Sequence, residues 1–169
     1  LAKPNSFTDT LACVDHLVTS GWFAADRVGL EGGSAGGLLV GAVLNLAPER
    51  FRVVHAAVPF VDALTTMLQP DLPLTVGEWE EWGNPLADPQ VYAAMRAYAP
   101  YENVRAAAYP AVLATSSLHD TRVYVTEPAK WVARLREVGT KGPRPRPSLL
   151  RTELSAGHGG RSGRYAACE

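Results

Sequence analysis

The apolar positions of this chain follow two periods, one typical of helices and the other typical of buried strands. An apolar residue at every third or fourth position predicts four helices, at residues 6–20, 35–46, 89–98 and 127–138. Short β-branched or continuously apolar runs predict four strands, at residues 27–31, 51–59, 111–115 and 148–153. Strands that alternate with helices in this way form a mostly parallel sheet with helices on both faces, so we predict an α/β fold.

Cap and turn residues set the expected limits of these elements. Ser6, with Asp9 three residues later, resembles a capping box that starts the first helix, and Gly21 is a plausible stop. Residues 69–90 carry four prolines and an acidic, tryptophan-rich centre, which predicts an irregular excursion. Three prolines within residues 143–147 exclude both helix and sheet pairing and predict a surface connection at residues 141–147.

The composition is that of an ordinary globular domain without a dominant charge. The 169 residues are 47% hydrophobic and 20% charged, with a net charge of −1. This balance gives no basic surface for nucleic acid, and no apolar run approaches the roughly 20 residues that span a bilayer. Cys13 and Cys168 lie near opposite ends of the chain, which favours two free thiols in the reducing cytoplasm, with a disulfide as the alternative.

Three residues with complementary chemistry follow three of the predicted strands. The first strand leads into a Gly-x-Ser-x-Gly motif centred on Ser34, the third is followed by Asp120, and the fourth by His158. Ligands of an open parallel sheet bind beyond the carboxyl ends of its strands. Serine, aspartate and histidine in this chain order are typical of hydrolases whose serine lies on a sharp strand-to-helix turn. The sequence therefore predicts a nucleophilic site at which these side chains meet.

Each of these residue types has a distinct part in that chemistry. A serine hydroxyl is a weak nucleophile until a base such as His158 removes its proton, and a carboxylate such as Asp120 fixes the tautomer of that base. The N–H of Ala35, at the start of the next helix, would face the developing oxyanion. Asp62 also follows a strand and competes with Asp120, but its position favours a helix cap.

The remaining histidines predict no metal site. His16 and His55 are interpreted as structural, and His119, beside Asp120, is expected to point away from the site. Histidines and acidic residues show no spacing typical of metal ligands, so we predict neither a metal nor another cofactor.

Five motifs together resemble the catalytic domain of the oligopeptidase B branch of the prolyl oligopeptidase family of serine peptidases. They are EGGSAGG (31–37), GEWEEWGNP (77–85), LHDTRV (118–123), EPAKWVARLR (127–136) and AGHGGRSGRY (156–165). The resemblance implies an α/β-hydrolase domain in which Ser34 is the nucleophile, Asp120 the orienting carboxylate and His158 the base.

The resemblance also implies that residues 1–169 are part of a longer protein. Members of this family carry a β-propeller and the first hydrolase strands ahead of this region, and a tyrosine hydroxyl from that earlier segment completes the oxyanion hole. The chain begins at Leu1 rather than at a methionine, and residues 164–169 read like the start of a helix that is cut off. We therefore expect the isolated segment to have little or no activity.

The same resemblance implies cleavage of short peptides after arginine or lysine. By this resemblance Glu78 is the best candidate to pair with the substrate cation, and a carboxylate can bind guanidinium through two parallel hydrogen bonds. Glu80 is a candidate for the same pocket or the next subsite, and the ring of Phe60 could face the cation. Arg122 matches a family arginine that binds a substrate backbone carbonyl.

Other interpretations remain open at the level of sequence. Residues 77–82 could be a solvated acidic loop whose tryptophans pack on the domain, and Arg122 a surface residue. A Ser-Asp-His constellation serves esterases and other peptidases equally well. A catalytically inactive hydrolase-like fragment is the third possibility.

Overall fold

Four parallel strands form the centre of the structure, a computed structural model that describes residues 2–140 and 145–159. The strands are β1 (Gly29–Gly33), β2 (Val53–Ala57), β3 (Ala111–Ser117) and β4 (Ser148–Glu153). They lie in the order β1-β2-β3-β4, and every neighbouring pair is parallel. Because all four strands run in the same direction, the segments that follow them emerge along one edge of the sheet.

Each connection between neighbouring strands contains at least one helix, as parallel pairing requires. The helices are α1 (Pro4–Thr19), α2 (Ala35–Leu46), α3 (Ala63–Met67), α4 (Thr75–Trp82), α5 (Pro89–Tyr98) and α6 (Thr126–Val138). A short 3₁₀ helix, Pro48–Arg50, lies between α2 and β2. The predicted α/β fold with a parallel sheet is therefore confirmed.

The core lies between one face of the sheet and the helices. Val54 and Ala56 of β2 are fully buried, as is Ala114 of β3. From the helices, Val40 of α2 and Trp131 of α6 are fully buried in the same core. This apolar layer holds α2 and α6 against the sheet. The candidate site residues lie at the edge of the sheet where its strands end.

The limits of several elements agree with the sequence prediction, whereas others move. The observed bounds of α2, α5 and β4 are those predicted. The predicted cap at Ser6 is wrong, because α1 begins at Pro4 with Lys3 as its N-cap, and proline suits a first turn whose N–H groups have no helical partner. The irregular excursion predicted at residues 69–90 is also wrong, because α4 forms within it.

Some of the sequence predictions concern residues outside the described part of the chain. Cys13 is an exposed free thiol, whereas Cys168 and residues 164–169 lie outside the described residues. Of the predicted surface connection at 141–147, only residues 145–147 are described, and they have no regular secondary structure. None of the helices described is both long and apolar enough to cross a membrane.

Candidate active site

The turn between β1 and α2 holds Ser34 in a strained backbone conformation. Its φ is 54° and its ψ is −121°, a region that costs a residue other than glycine about 1–3 kcal/mol. Hydrogen bonds hold this geometry from both sides. The Ser34 N–H donates to the carbonyl of Ala57 at 2.9 Å, and the Ser34 carbonyl accepts from Phe60 N–H at 3.0 Å and Gly37 N–H at 2.8 Å. The surrounding backbone thus fixes the serine at the edge of the sheet.

Two glycines allow the chain to pack closely around this turn. A Cβ at Gly32 would lie 2.5 Å from the carbonyl oxygen of Gly36, and a Cβ at Gly37 would lie 2.4 Å from the Cα of Pro59. At Gly36, the second glycine of the motif, a Cβ would meet no atom within 4 Å. Glycine is therefore required by the packing at Gly32, the first residue of the Gly-x-Ser-x-Gly motif, and at Gly37, the residue directly after the motif.

The structure brings Ser34, His158 and Asp120 together in one line of hydrogen bonds. The Nε2 atom of His158 is 3.0 Å from Ser34 Oγ, and its Nδ1 atom is 2.7 Å from Asp120 Oδ2. The histidine side chain is 18% exposed and that of Asp120 only 1%. Substrate can therefore approach the serine and histidine while the carboxylate stays away from water. This arrangement can move a proton from the serine to the imidazole and stabilise the cation that forms.

The second oxygen of Asp120 is engaged by its own loop. Asp120 Oδ1 accepts hydrogen bonds from the backbone N–H groups of Arg122 at 2.8 Å and Val123 at 3.0 Å. These bonds fix the carboxylate so that Oδ2 faces His158. Asp62, the competing candidate, is instead paired with Lys130. It occupies the N-cap position of α3, but its side chain makes no capping bond there, so the predicted capping role is wrong.

The backbone N–H of Ala35 lies at the N-terminus of helix α2 and has no helical hydrogen-bond partner. Ala35 is the first residue of α2 and is exposed, and its N–H bonds no other group in the described part of the chain. The first N–H groups of a helix have no partner within it and carry the positive end of the helix dipole. This donor is adjacent to Ser34 and available to an anion.

The acidic residues at 77–82, predicted from the sequence to form a pocket for a substrate cation, lie on a helix rather than in a loop. Glu78 of α4 is half-buried, and its Oε2 accepts a hydrogen bond from the indole N–H of Trp82 at 2.8 Å. The Trp82 ring packs against Phe60, with 5.5 Å between ring centroids. Since Phe60 N–H also bonds the Ser34 carbonyl, a chain of contacts runs from the carboxylate to the nucleophile turn.

Glu80 occupies a different face of the same helix. Two residues correspond to about 200° of rotation, so Glu80 faces away from Glu78. It lines a recess with Lys3, whose ammonium group bonds Glu81 at 3.0 Å and lies 4.0 Å from the centre of the Trp82 ring. The structure therefore does not bring the two predicted carboxylates into one pocket.

The side chains of Arg122 and His119 are both exposed beside the triad. The backbone N–H of Arg122 donates a hydrogen bond to Asp120 Oδ1. The backbone N–H of His119 donates to the carbonyl of Ala156. Within residues 2–140 and 145–159, no three histidine, cysteine or acidic side chains are grouped as metal ligands would be.

Sequence reasoning missed one buried acid, on the helix that follows Asp120. Glu127, in the first turn of α6, is only 3% exposed. Burial raises the pKa of its carboxyl to about 7, although hydrogen bonds from the backbone of Asp62 and the hydroxyl of Thr66 oppose the rise. A glutamate at the start of an amphipathic helix normally faces solvent, so only its place in the motif EPAKWVARLR singled it out in the sequence.

A serine on a strained strand-to-helix turn, in line with a histidine and an aspartate from beyond two later parallel strands, defines the site of an α/β hydrolase. The whole chain, residues 1–169, matches the Prolyl oligopeptidase family, and the chain belongs to that family.

Individual relatives agree with this assignment. The chain is 51% identical over 164 residues to dipeptidyl aminopeptidase BI of Pseudoxanthomonas mexicana and 48% identical over 163 residues to Protease 2 of Moraxella lacunata. These matches cover 96% of the chain but only 22% and 23% of the relatives. Oligopeptidase B from Leishmania major superposes on 90% of the chain with a TM-score of 0.85 and 47% identity, over 20% of its own length. Thus the chain spans about a fifth of the relatives it matches.

Proposed function

We propose that the protein carrying this chain is a serine peptidase that hydrolyses short peptides after arginine or lysine. The observation that carries this proposal is the line of hydrogen bonds from Ser34 Oγ through His158 to Asp120, at 3.0 and 2.7 Å. Membership of the prolyl oligopeptidase family supports amide hydrolysis as the reaction on this site.

The proposed reaction proceeds through an acyl-enzyme. Ser34 attacks the carbonyl carbon of the scissile bond while His158 Nε2 takes the hydroxyl proton. The Ala35 N–H stabilises the oxyanion of the tetrahedral intermediate. His158 then gives its proton to the leaving amine, and the C–N bond breaks. In the second half, His158 takes a proton from water while the water oxygen attacks the acyl carbon. The ester bond to Ser34 Oγ then breaks, His158 returns the proton to Ser34 Oγ, and the acyl peptide leaves as a carboxylic acid.

The substrate cation is recognised by Glu78 in this proposal. The carboxylate is half-buried, and the indole N–H of Trp82 occupies one of its oxygens, which leaves acceptor capacity for a guanidinium or ammonium group. The edge of the pocket is formed by Phe60, which is 5% exposed and packs on Trp82. Glu80 faces another direction and would serve the next subsite, and the exposed Arg122 would bind a substrate carbonyl.

The remaining parts of the proposed enzyme come from outside this chain. The relatives are more than four times as long as this chain, which is consistent with a β-propeller, the earlier hydrolase strands and a second oxyanion donor supplied by them. The proposed reaction needs no metal or cofactor, because the triad and the oxyanion donors supply its proton transfers and charge stabilisation. We place the protein in the cytoplasm, where Cys13 would stay reduced.

A second candidate activity is the removal of dipeptides from a free amino terminus. It is favoured by the relative named dipeptidyl aminopeptidase BI, which is 51% identical to this chain. Both activities would use the same triad, but removal of dipeptides requires a free substrate amine two residues before the scissile bond. Esterase activity without peptidase activity would be the third outcome.

The experiment that separates these activities uses the full-length protein and matched short peptides. Each peptide would carry arginine, lysine or leucine before the scissile bond, with either a blocked or a free amino terminus. We expect cleavage after arginine and lysine in both blocked and free peptides, none after leucine, and none with Ser34→Ala. Cleavage of free peptides alone would identify a dipeptidyl peptidase, and hydrolysis of esters alone would contradict a peptidase.

A further inference from the structure

The buried carboxylate of Glu127 ties α6 to both ends of α3. Its Oε2 accepts the backbone N–H of Asp62, directly before α3, at 2.9 Å. Its Oε1 accepts the hydroxyl of Thr66, in the last turn of α3, at 2.8 Å. At 3% exposure, both bonds are shielded from water, and a buried backbone N–H that lost its acceptor would be costly. The carboxylate does not touch the triad.

Helix α3 in turn holds α4, which carries Glu78. The hydroxyl of Thr75, the first residue of α4, donates to the carbonyl of Thr66 at 3.0 Å and is fully buried. The indole N–H of Trp79 donates to the carbonyl of Met67 at 3.2 Å. An eight-residue helix whose N-cap makes no side-chain capping bond is marginal by itself, so its placement depends on such tertiary bonds.

Helix α6 is fixed to the catalytic aspartate on its other side. Asp120 Oδ1 binds the N–H groups of Arg122 and Val123, and the N–H of Glu127 donates to the carbonyl of Tyr124 at 2.9 Å. The segment between Asp120 and Glu127 is therefore a short, bonded connection. Glu127 is the residue at which this connection meets α3.

We infer that Glu127 is a positioning residue that holds α3 and α4, and with them Glu78, at a fixed place relative to the Ser34–His158–Asp120 triad. The consequence for arginyl and lysyl substrates rests on the proposed function, whereas the consequence for the placement of α4 does not.

The role requires hydrogen-bonding atoms at residue 127 but not a negative charge. Burial raises the pKa of Glu127 to about 7, with the nearby carboxylate of Asp62 contributing, so both protonation states occur near neutrality. A neutral carboxyl can accept the Asp62 N–H through Oε2 and donate its proton to the Thr66 hydroxyl. Glutamine offers the same acceptor and donor, whereas leucine has a similar size and offers neither.

These differences define three variants of the full-length protein. Glu127→Leu removes both bonds, Thr66→Val removes only the hydroxyl bond, and Glu127→Gln is the matched control that keeps both. Thr66→Val decides the question if Glu127→Leu fails to fold. Amide hydrogen exchange of residues 75–82 measures the placement of α4 without substrate, and kcat/KM for an arginyl peptide and for a small neutral ester measures the consequence.

We expect amide exchange in α4 to be roughly tenfold faster in Glu127→Leu, about threefold faster in Thr66→Val and unchanged in Glu127→Gln. We expect kcat/KM for the arginyl peptide to fall by similar factors, mostly through KM, and hydrolysis of the neutral ester to change less than about twofold. Unchanged exchange in both Thr66→Val and Glu127→Leu would overturn the positioning role. Equal losses on the two substrates would overturn the specific link to Glu78.

The same experiments distinguish failure of the positioning role from failure of the proposed recognition of the substrate cation by Glu78. If Glu78 does not bind the cation, Glu78→Gln will leave arginyl hydrolysis unchanged while exchange in α4 still responds to Glu127→Leu.

Discussion

The triad and the acidic helix α4 are held in place by different kinds of contact. Ser34, Asp120 and His158 each lie beyond a strand of one parallel sheet, and the ladder of that sheet brings them together. Helix α4 follows helix α3 rather than a strand of the sheet. Its position depends on side-chain bonds to the backbone of α3, and through Glu127 to α6.

Because the triad and α4 are held by different contacts, we expect the catalytic step and the selectivity for basic substrates to respond to different mutations. Core strands generally open only when the whole domain unfolds, so we expect the triad geometry to be kept or lost together with the sheet. The position of α4 rests on a few bonds of modest energy, each worth about 0.5–1.5 kcal/mol. Selectivity should therefore vary in graded steps while the triad stays intact.

The largest expected effect is loss of the triad. Ser34→Ala, His158→Ala and Asp120→Asn should each lower kcat by about 10⁴-fold or more on every substrate, because the three residues act as a unit. Circular dichroism and the unfolding midpoint should change little, because alanine at residue 34 keeps the Cβ and therefore the same backbone strain. Activity of Ser34→Ala within about tenfold of the wild type would rule out the proposed mechanism.

Removal of the Glu78 charge should affect one class of substrate only. Glu78→Gln keeps an oxygen that can accept the Trp82 indole N–H, so Phe60 should stay in place. We expect kcat/KM for arginyl peptides to fall about a hundredfold, since a partly desolvated ion pair would be broken on one side. Hydrolysis of a neutral ester should be nearly unchanged.

Glu81→Gln is the matched control for Glu78→Gln. Glu81 lies in the same helix, but its side chain is 59% exposed and is paired with Lys3 at the surface. Exposed ion pairs are worth about 0–1 kcal/mol, so either substrate should change by less than a few fold. If Glu81→Gln reduced arginyl hydrolysis as strongly as Glu78→Gln, the proposed pocket would be in the wrong place.

The two regions also differ in how far the sequence predicts them. The triad followed from residue order, because the topology of a parallel sheet places the residues after each strand at one edge. The sequence predicts an irregular segment instead of helix α4, because residues 69–90 carry four prolines around an acidic, tryptophan-rich centre. The position of α4 depends on tertiary hydrogen bonds such as that from the Thr75 hydroxyl to the Thr66 carbonyl. Bonds of this kind leave no periodic pattern of apolar residues in the sequence. Glu127 was missed for the same reason.

The ionisation of Glu127 should make stability depend on pH. Its pKa is raised from 4.5 to about 7 in the folded protein, so between these values the folded state binds more protons than the unfolded state. The free energy of unfolding should therefore fall by about 3 kcal/mol as the pH rises through this window, with the full contribution present below 4.5. Glu127→Gln should lack this component.

Urea unfolding of the wild type and of Glu127→Gln at pH 5 and pH 8 measures the difference. The wild type should lose stability relative to the variant at the higher pH. Parallel pH profiles for the two proteins would show that the carboxyl is not perturbed in the folded state.

A smaller effect concerns the packing of the nucleophile turn. A Cβ at Gly37 would lie 2.4 Å from Pro59, so Gly37→Ala should lower the free energy of unfolding by about 1–3 kcal/mol. Gly36→Ala, in the same helix with no atom within 4 Å of its Cβ, should be neutral or stabilise the protein by up to about 1 kcal/mol. Unfolding midpoints check both values, and equal losses would contradict the assigned steric requirement.

Labelling with a fluorophosphonate tests the activation of Ser34 most directly, because this reagent reacts with a serine whose proton is removed by a neighbouring base. The full-length wild type, Ser34→Ala and His158→Ala would be treated together and analysed by intact mass and peptide mapping. We expect one label per chain, located at Ser34, with no label in Ser34→Ala and labelling at least about a hundredfold slower in His158→Ala. Labelling of another serine, or an unchanged rate in His158→Ala, would rule out the activation of Ser34 by His158.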